Sequence, residues 1–367
     1  MEKPYSQWKA MRAIAKASLV AILRSPQAVF FSLFFPIVLI VIFGALSNGR
    51  GISLDVAFDS KSDTTNEVYR QMAGSPYFNI SKGTAAEVQD LLKKGRITAI
   101  IEIRKITGDS LQAYDVHLKS ASASAKDLGV LKTFLAQYIS LIDAGRHIVS
   151  KSYASISGEE IDFGRTYRSI DFYLPGMLGF SLIGSAVFGV AFVFFSLRET
   201  LVLKRMYATP IRRGYIVLGE SFGRIVFQLA TAVVLILFGK LFYHFTLANG
   251  WATFAELMVL SFLGTLLFMG VGFIISSVAK NQNVIPIYAN LFMFPQYFLS
   301  GTFFSRAALP AGIQPVLKYL PLTALNDAMR KVSFEGLHLW NVSSEIFILL
   351  GWCVLVYIIA IKVFKWD

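Results

Sequence analysis

The chain has 367 residues, 55% of them hydrophobic and only 16% charged. Soluble globular domains carry roughly 25% charged residues, so this composition excludes an ordinary soluble enzyme and indicates extensive lipid-facing surface. The formal charge of +12 does not mark a nucleic-acid binder: residues 47–170 hold 16 Lys/Arg and 14 Asp/Glu, which leaves the excess on the apolar remainder. There it reads as a topology signal, because Lys and Arg accumulate in short cytoplasmic segments.

The first 27 residues predict a helix lying in the cytoplasmic interface. Trp8, Met11, Ile14, Ala15, Leu19 and Ile22 recur at helical spacing, with Lys9, Arg12 and Lys16 between them. The first apolar stretch follows at 28–46. It resembles a signal peptide at Ala45-Leu46-Ser47, but its run of about 19 apolar residues exceeds a signal core of roughly 7 to 15, so it reads as a retained anchor. Crossing a bilayer core of about 30 Å takes roughly 20 apolar helical residues, and five further stretches come close: 172–197, 216–245, 254–279, 284–304 and 346–364.

Residues 47–170 have ordinary soluble composition and predict an external α/β domain. Strands are expected at 53–58, 78–81, 96–104 and 111–119, and helices at 63–72, 84–94 and 125–155. Thr84 and Glu87 are placed as a capping box. The acidic group Glu159, Glu160 and Asp162 reads as a solvated turn. The remainder, 171–367, is expected to form a five-helix transmembrane domain with a cytoplasmic loop at 197–215 and an external region at 305–340.

Connecting segments set the orientation. Lys3, Lys9, Arg12, Lys16 and Arg24 precede the first span, and Arg198, Lys204, Arg205, Arg212 and Arg213 lie between the second and third. Both segments are placed inside. The turn at Lys280 and the tail with Lys362 and Lys365 then also fall inside, with both termini cytoplasmic. One region fits this rule poorly: 305–345 falls outside yet carries Arg306, Lys318, Arg330 and Lys331.

Motifs for chemistry are sparse. The phosphate-cradling pattern G-x-x-x-x-G-K-[ST] is absent, so ATP, if used, is hydrolysed by a partner. Residues 219–223 (GESFG) match the G-x-S-x-G nucleophile elbow, but they open a hydrophobic helix, where the two glycines serve close helix packing better. His117, His147, His244 and His338 show no metal-ligand spacing. Glu220 and Arg224 stand at i and i+4 in the order that favours a pair. Lys240 and Glu256 lie near outer helix ends, and no charge is expected deep within a span, which weighs against an ion-coupled carrier.

Two stretches resemble the type-2 ATP-binding cassette (ABC) exporter permeases. Residues 197–219 (LRETLVLKRMYATPIRRGYIVLG) are similar to that family's loop pattern R-E-x-G-T-L-x-R-L-x-x-T-P, with Leu201-Val202 standing where the family has Gly-Thr. Residues 296–332 (QYFLSGTFFSRAALPAGIQPVLKYLPLTALNDAMRKV) resemble its F-L-S-G-x-F-F and L-P-L-T-x-x-x-D-A-x-R signature. Residues 84–104 resemble the helix-strand unit of members with an enlarged first external loop.

The resemblance implies an α-helical polytopic membrane protein with six transmembrane helices and an inserted extracytoplasmic α/β domain. It implies no catalytic, cofactor or metal residues in this chain, with ATP and Mg on a partner ATPase. Arg198, Glu199, Lys204, Arg205, Thr209 and Pro210 would couple to that ATPase, braced by the N-terminal helix. Phe180, Phe188, Phe192, Tyr288, Asn290, Phe292 and Gln296 are candidates for the substrate pathway at an interface with a second copy or a paralogue. Pro321, Thr323, Asp327 and Arg330 belong to an external signature helix that dips back from the outer face. The implied partners are the ATPase, the second permease chain and membrane lipid, with no nucleic acid. The rival readings are an ion-gradient carrier and a membrane-anchored sensor or assembly protein.

Overall fold

The computed structural model describes residues 6–46, 54–75, 77–93, 97–106, 114–121, 125–145, 153–162, 168–202, 205, 210–304, 306, 309–310 and 312–363. The chain divides into two compact units, Met1–Asn48 with Ser169–Asp367, and Gly49–Arg168.

In the larger unit, α1 (Gln7–Leu23) is followed by α2 (Pro26–Val29), a π-helical turn (Phe30–Phe34) and α3 (Phe35–Leu46). The π turn has a local cause. Pro36 has no N–H to offer the Ser32 carbonyl one turn back, and that carbonyl accepts the Ser181 hydroxyl instead. Three long helices come next: α7 (Ser169–Glu199), α8 (Arg213–Tyr243) and α9 (Trp251–Val278). Then follow α10 (Ile285–Leu299), the short α11 (Gln314–Leu317), α12 (Pro321–Arg330) and α13 (Ser343–Val363).

Among the described residues, four helical segments are long and apolar enough to cross a membrane: Ser169–Glu199, Gly214–Tyr243, Trp251–Val278 and Leu339–Val363. Two of the six expected spans are shorter. The apolar helix at the first is Phe30–Phe43, and α10 has 15 residues because the turn at Ser300-Gly301 ends it. Gly301 sits at φ 74°, a conformation glycine adopts at no steric cost. The core of this unit runs along α7, whose Leu174, Leu178, Leu182, Val187 and Val190 are fully enclosed against α8, α9, α10 and α12. Exposed apolar side chains such as Leu291 on α10 and Ile361 on α13 face outward, as lipid-exposed helices require.

The smaller unit holds a five-stranded sheet in the order β2-β1-β3-β4-β5. Its strands are β1 (Leu54–Phe58), β2 (Phe78–Ser81), β3 (Ala99–Lys105), β4 (Tyr114–Ala121) and β5 (Ala154–Asp162). β1 pairs in parallel with β2 and β3, β3 runs antiparallel to β4, and β4 is parallel to β5. One face packs Val56, Ile101, Val116 and Leu118 against α4 (Glu67–Ala73) and α6 (Ala125–Gly145). The other packs Ala57 and Ile100 against Val88 and Leu92 of α5 (Ala85–Lys93). The capping box forms: Thr84 N donates to Glu87 Oε2 at 2.8 Å, and Glu87 N to Thr84 Oγ1 at 3.4 Å. These bonds stabilise the ionised carboxylate and hold Glu87 below its ordinary pKa.

Two expectations are corrected here. The helix expected at 125–155 is described over Ala125–Gly145 while residues 154–155 belong to β5, and the acidic group Glu159, Glu160 and Asp162 lies in β5 rather than in a turn. β5 reads ASISGEEID, too polar and too interrupted by glycine to register as a strand by alternation, and its parallel partner β4 lies more than thirty residues earlier.

Candidate functional site

One end of the larger unit gathers the basic connections. α7 closes there with Arg198, whose Nη2 donates to the Ala279 carbonyl at the end of α9 at 3.1 Å. The guanidinium also lies over the Phe195 ring, 5.2 Å from its centroid. A cation at a helix C-terminus is favoured by the helix dipole, so Arg198 ties two helix ends together. Glu199 is exposed beside it, and the backbone turns at Leu201, which has φ 60°. Arg205 N donates to the Leu201 carbonyl at 3.0 Å. Leu201 thus stands in the left-handed conformation that glycine adopts at no steric cost. Lys204 and Thr209 lie outside the described residues.

The far end of the loop is clamped by a residue the sequence reading passed over. Gln7, the first residue of α1, donates from Nε2 to the Pro210 carbonyl at 2.7 Å, and its Oε1 accepts from Arg212 N at 3.0 Å. α1 is then seated on α8 through glycines. A Cβ on Gly219 would stand 2.8 Å from the Met11 carbonyl oxygen, and one on Gly223 would stand 2.6 Å from that of Ala15. The GESFG pentapeptide therefore lies inside a helix as a packing surface, without the strand and sharp turn that a nucleophile elbow needs.

A buried polar seam continues from this joint. Ser18 of α1 donates to Glu220 Oε1 at 2.8 Å, and Glu220 Oε1 stands 3.9 Å from Arg224 Nη2. The Arg224 guanidinium fills the space beside Gly189 of α7, where any side chain would collide with it. One turn on, Gln228 donates to Ser181 Oγ at 3.3 Å, and Ser181 bonds the freed Ser32 carbonyl. The predicted Glu220–Arg224 pair exists. However, Arg224 is only 3% exposed, so a charge sits deeper in the helix bundle than the sequence indicated.

The opposite end is built around the signature helix α12. Pro321 occupies its first position, where a missing N–H costs nothing. Gln296 caps the helix by accepting from Leu322 N at 3.1 Å, and it is 3% exposed, so it serves this joint rather than lining a surface. Thr323 is fully enclosed. Asp327 bonds Arg306 Nη2 at 2.5 Å and stands 3.9 Å from Arg330. Arg330 reaches the Phe172 and Gly301 carbonyls and lies 4.0 Å above the Phe172 ring. Asn326 donates to Thr302 Oγ1 at 3.0 Å. Asp171, in the first turn of α7, receives Thr246 N at 2.8 Å and so fastens the connection between α8 and α9.

This geometry accounts for three of the four cations that the inside-positive rule left unplaced; the fourth, Lys318, is exposed beside the Tyr319 ring. Arg306 is matched by Asp327, Lys331 by Glu345 at 2.6 Å, and Arg330 by carbonyls. These three are tied to partners within the fold and only partly exposed.

The pathway candidates separate into three groups. Phe180 belongs to an aromatic cluster with Phe35, Tyr297 and Phe303, with centroids 4.5 to 5.9 Å apart. Phe188 and Phe192 stack on each other at 6.0 Å on α7. Tyr288 is exposed on α10, while Asn290 and Phe292 are half-buried there.

The model of the ABC-2 family transporter proteins matches residues 27–362. A probable multidrug ABC transporter permease, YbhS, of Escherichia coli K12 is 21% identical over 363 residues, covering 92% of this chain and 91% of the relative. The YbhS of Escherichia coli O157:H7 matches to the same extent. Nodulation protein J of Rhizobium leguminosarum bv. trifolii is 27% identical over 163 residues, covering 44% of this chain and 60% of the relative. With the family model spanning nearly the whole chain over this set of apolar helices, the protein belongs to the ABC-2 family of transporter proteins.

Proposed function

We propose that the chain is the permease subunit of an ATP-driven exporter, working as one of two permease chains with two copies of a separate ATPase that carries ATP and Mg. The observation that carries this reading is the loop between α7 and α8, braced at both ends to rigid elements. Arg198 anchors its start to α9, and Gln7 anchors its end to α1. A loop held this way transmits displacement into three helices at once.

In this reading α2 with α3, and α10, complete six membrane crossings with α7, α8, α9 and α13. Both termini and the braced loop are cytoplasmic, and residues 47–170 are extracytoplasmic. Arg198, Glu199, Lys204, Arg205, Thr209 and Pro210 contact the ATPase. The exposed aromatic and apolar surface of α10, with Tyr288 and Phe292, lines the pathway with the second chain. Such a lining favours an amphipathic or lipid-like cargo, whether drug, lipid, peptide or glycan, and the similarity to YbhS, a probable multidrug permease, supports the same reading.

The test is purification of the full chain from membranes in mild detergent. Recovery of a stoichiometric nucleotide-hydrolysing partner supports the reading. A chain that purifies alone, and moves its cargo under an ion gradient or merely binds ligand on residues 47–170, overturns it.

A further inference from the structure

The packing of α1 on Gly219 and Gly223, together with the Gln7 clamp, fixes which face this helix turns outward. Ala15, Ser18 and Ile22 are buried. The outward arc carries Lys9, Arg12 and Lys16, all exposed, and Arg24 follows at the C-cap. α1 contains no acidic residue, and none of these four cations has an acidic partner among the described residues. The contrast with the other end of the unit is direct, since Arg306 and Lys331 there are matched by Asp327 and Glu345.

The same outward face exposes apolar bulk. Trp8 is 61% exposed, Leu23 57% and Val20 37%. Water alone would favour burial of the tryptophan and leucine, and an acyl environment would exclude the cations. The boundary between headgroups and acyl chains accommodates both, with each Lys or Arg stem lying along the apolar layer and its charge among phosphates. Only Arg24 and Ser25 separate α1 from α2, which runs directly into the first apolar helix, so α1 is held at the surface that helix enters.

We infer that the outward face of α1 is a docking surface for anionic phospholipid headgroups, with Lys9, Arg12, Lys16 and Arg24 binding phosphates. The inference rests on the cytoplasmic placement of this end in the proposed reading, and it names the lipid class that the permease holds against its coupling loop. Each cation near an anionic surface is worth roughly a fivefold preference, so the row as a whole selects strongly.

The test places the full-length protein in mixed micelles containing equal amounts of phosphatidylglycerol and phosphatidylcholine and weighs the retained lipids by native mass spectrometry. Wild type is expected to retain phosphatidylglycerol in severalfold excess, falling with added salt. The K9Q/R12Q/K16Q variant is expected to lose the excess, and the charge-keeping K9R/K16R variant to preserve it. Equal retention of the two lipids by wild type, or an excess that survives the triple substitution in folded protein, overturns the inference. A triple variant that keeps its lipids and instead sheds a co-purifying protein assigns the face to that protein and also overturns it. Failure of the permease reading is distinguishable, because it removes the ATPase from wild type without touching the lipid ratio.

Discussion

Leu201 holds a φ of 60° on a turn whose other contacts are sound: its N–H bonds the Arg198 carbonyl and its own carbonyl receives Arg205, each at 3.0 Å. A left-handed backbone costs a residue with a Cβ about 1 to 2 kcal/mol, whereas glycine adopts it freely at some entropic cost in the unfolded chain. Leu201→Gly should therefore stabilise the protein by up to about 1 kcal/mol, seen as a higher unfolding midpoint in detergent. A lowered midpoint would mean that Leu201, 54% exposed, makes contacts that outweigh the strain. Arg224 presents the opposite case. Its side chain is 4% exposed, its Nε has no hydrogen-bond partner among the described residues, and Glu220 is its ion-pair acid at 3.9 Å. Removing the partner of an enclosed charge costs about 3 to 5 kcal/mol, while removing both charges is often neutral. Glu220→Gln alone is expected to destabilise the bundle, and Glu220→Gln with Arg224→Gln to recover most of the loss. Equal instability of the single and double variants would show that the seam depends on the arginine's shape rather than its charge.

At the scale of elements, the joint between α1 and α8 rests on Gly219 and Gly223, where two helix backbones approach closely. Valine at either position must push α1 away, at a cost of about 1 to 3 kcal/mol. Gly223→Val should free α1 enough for trypsin to cut at Lys9, Arg12 or Lys16 while the remaining helices stay intact. An unchanged digestion pattern would mean that Gln7 and Ser18 hold the helix without the glycines. The spacing of these glycines was legible in the sequence, as were the long helices, the capping box at Thr84 and Glu87, and the Glu220–Arg224 pair. All of these are local patterns, set by residues three or four apart. What escaped was long-range. β5 depends on β4 for its pairing, and nothing in a lone glutamine at position 7 foretells its bond to Pro210, 203 residues away. Likewise, Ser181 gains its role only because Pro36 frees a carbonyl on another helix.

Across the whole molecule, charge distinguishes the two ends of the larger unit. Arg306 and Lys331, at the end built around α12, are paired within the fold, whereas Lys9, Arg12, Lys16 and Arg24 have no acidic partner among the described residues, and Arg198 and Gln7 hold the loop beside them. Motion of this loop, and not chemistry within the chain, is expected to drive transport. The most direct measurement is ATP hydrolysis by the complex that co-purifies with the chain, compared among wild type, Glu199→Ala and Arg205→Ala. The expected result is a stoichiometric ATPase whose association or turnover fails in both variants, each of which remains folded. A protein that purifies without an ATPase, or one whose ATPase is indifferent to both substitutions, would contradict it.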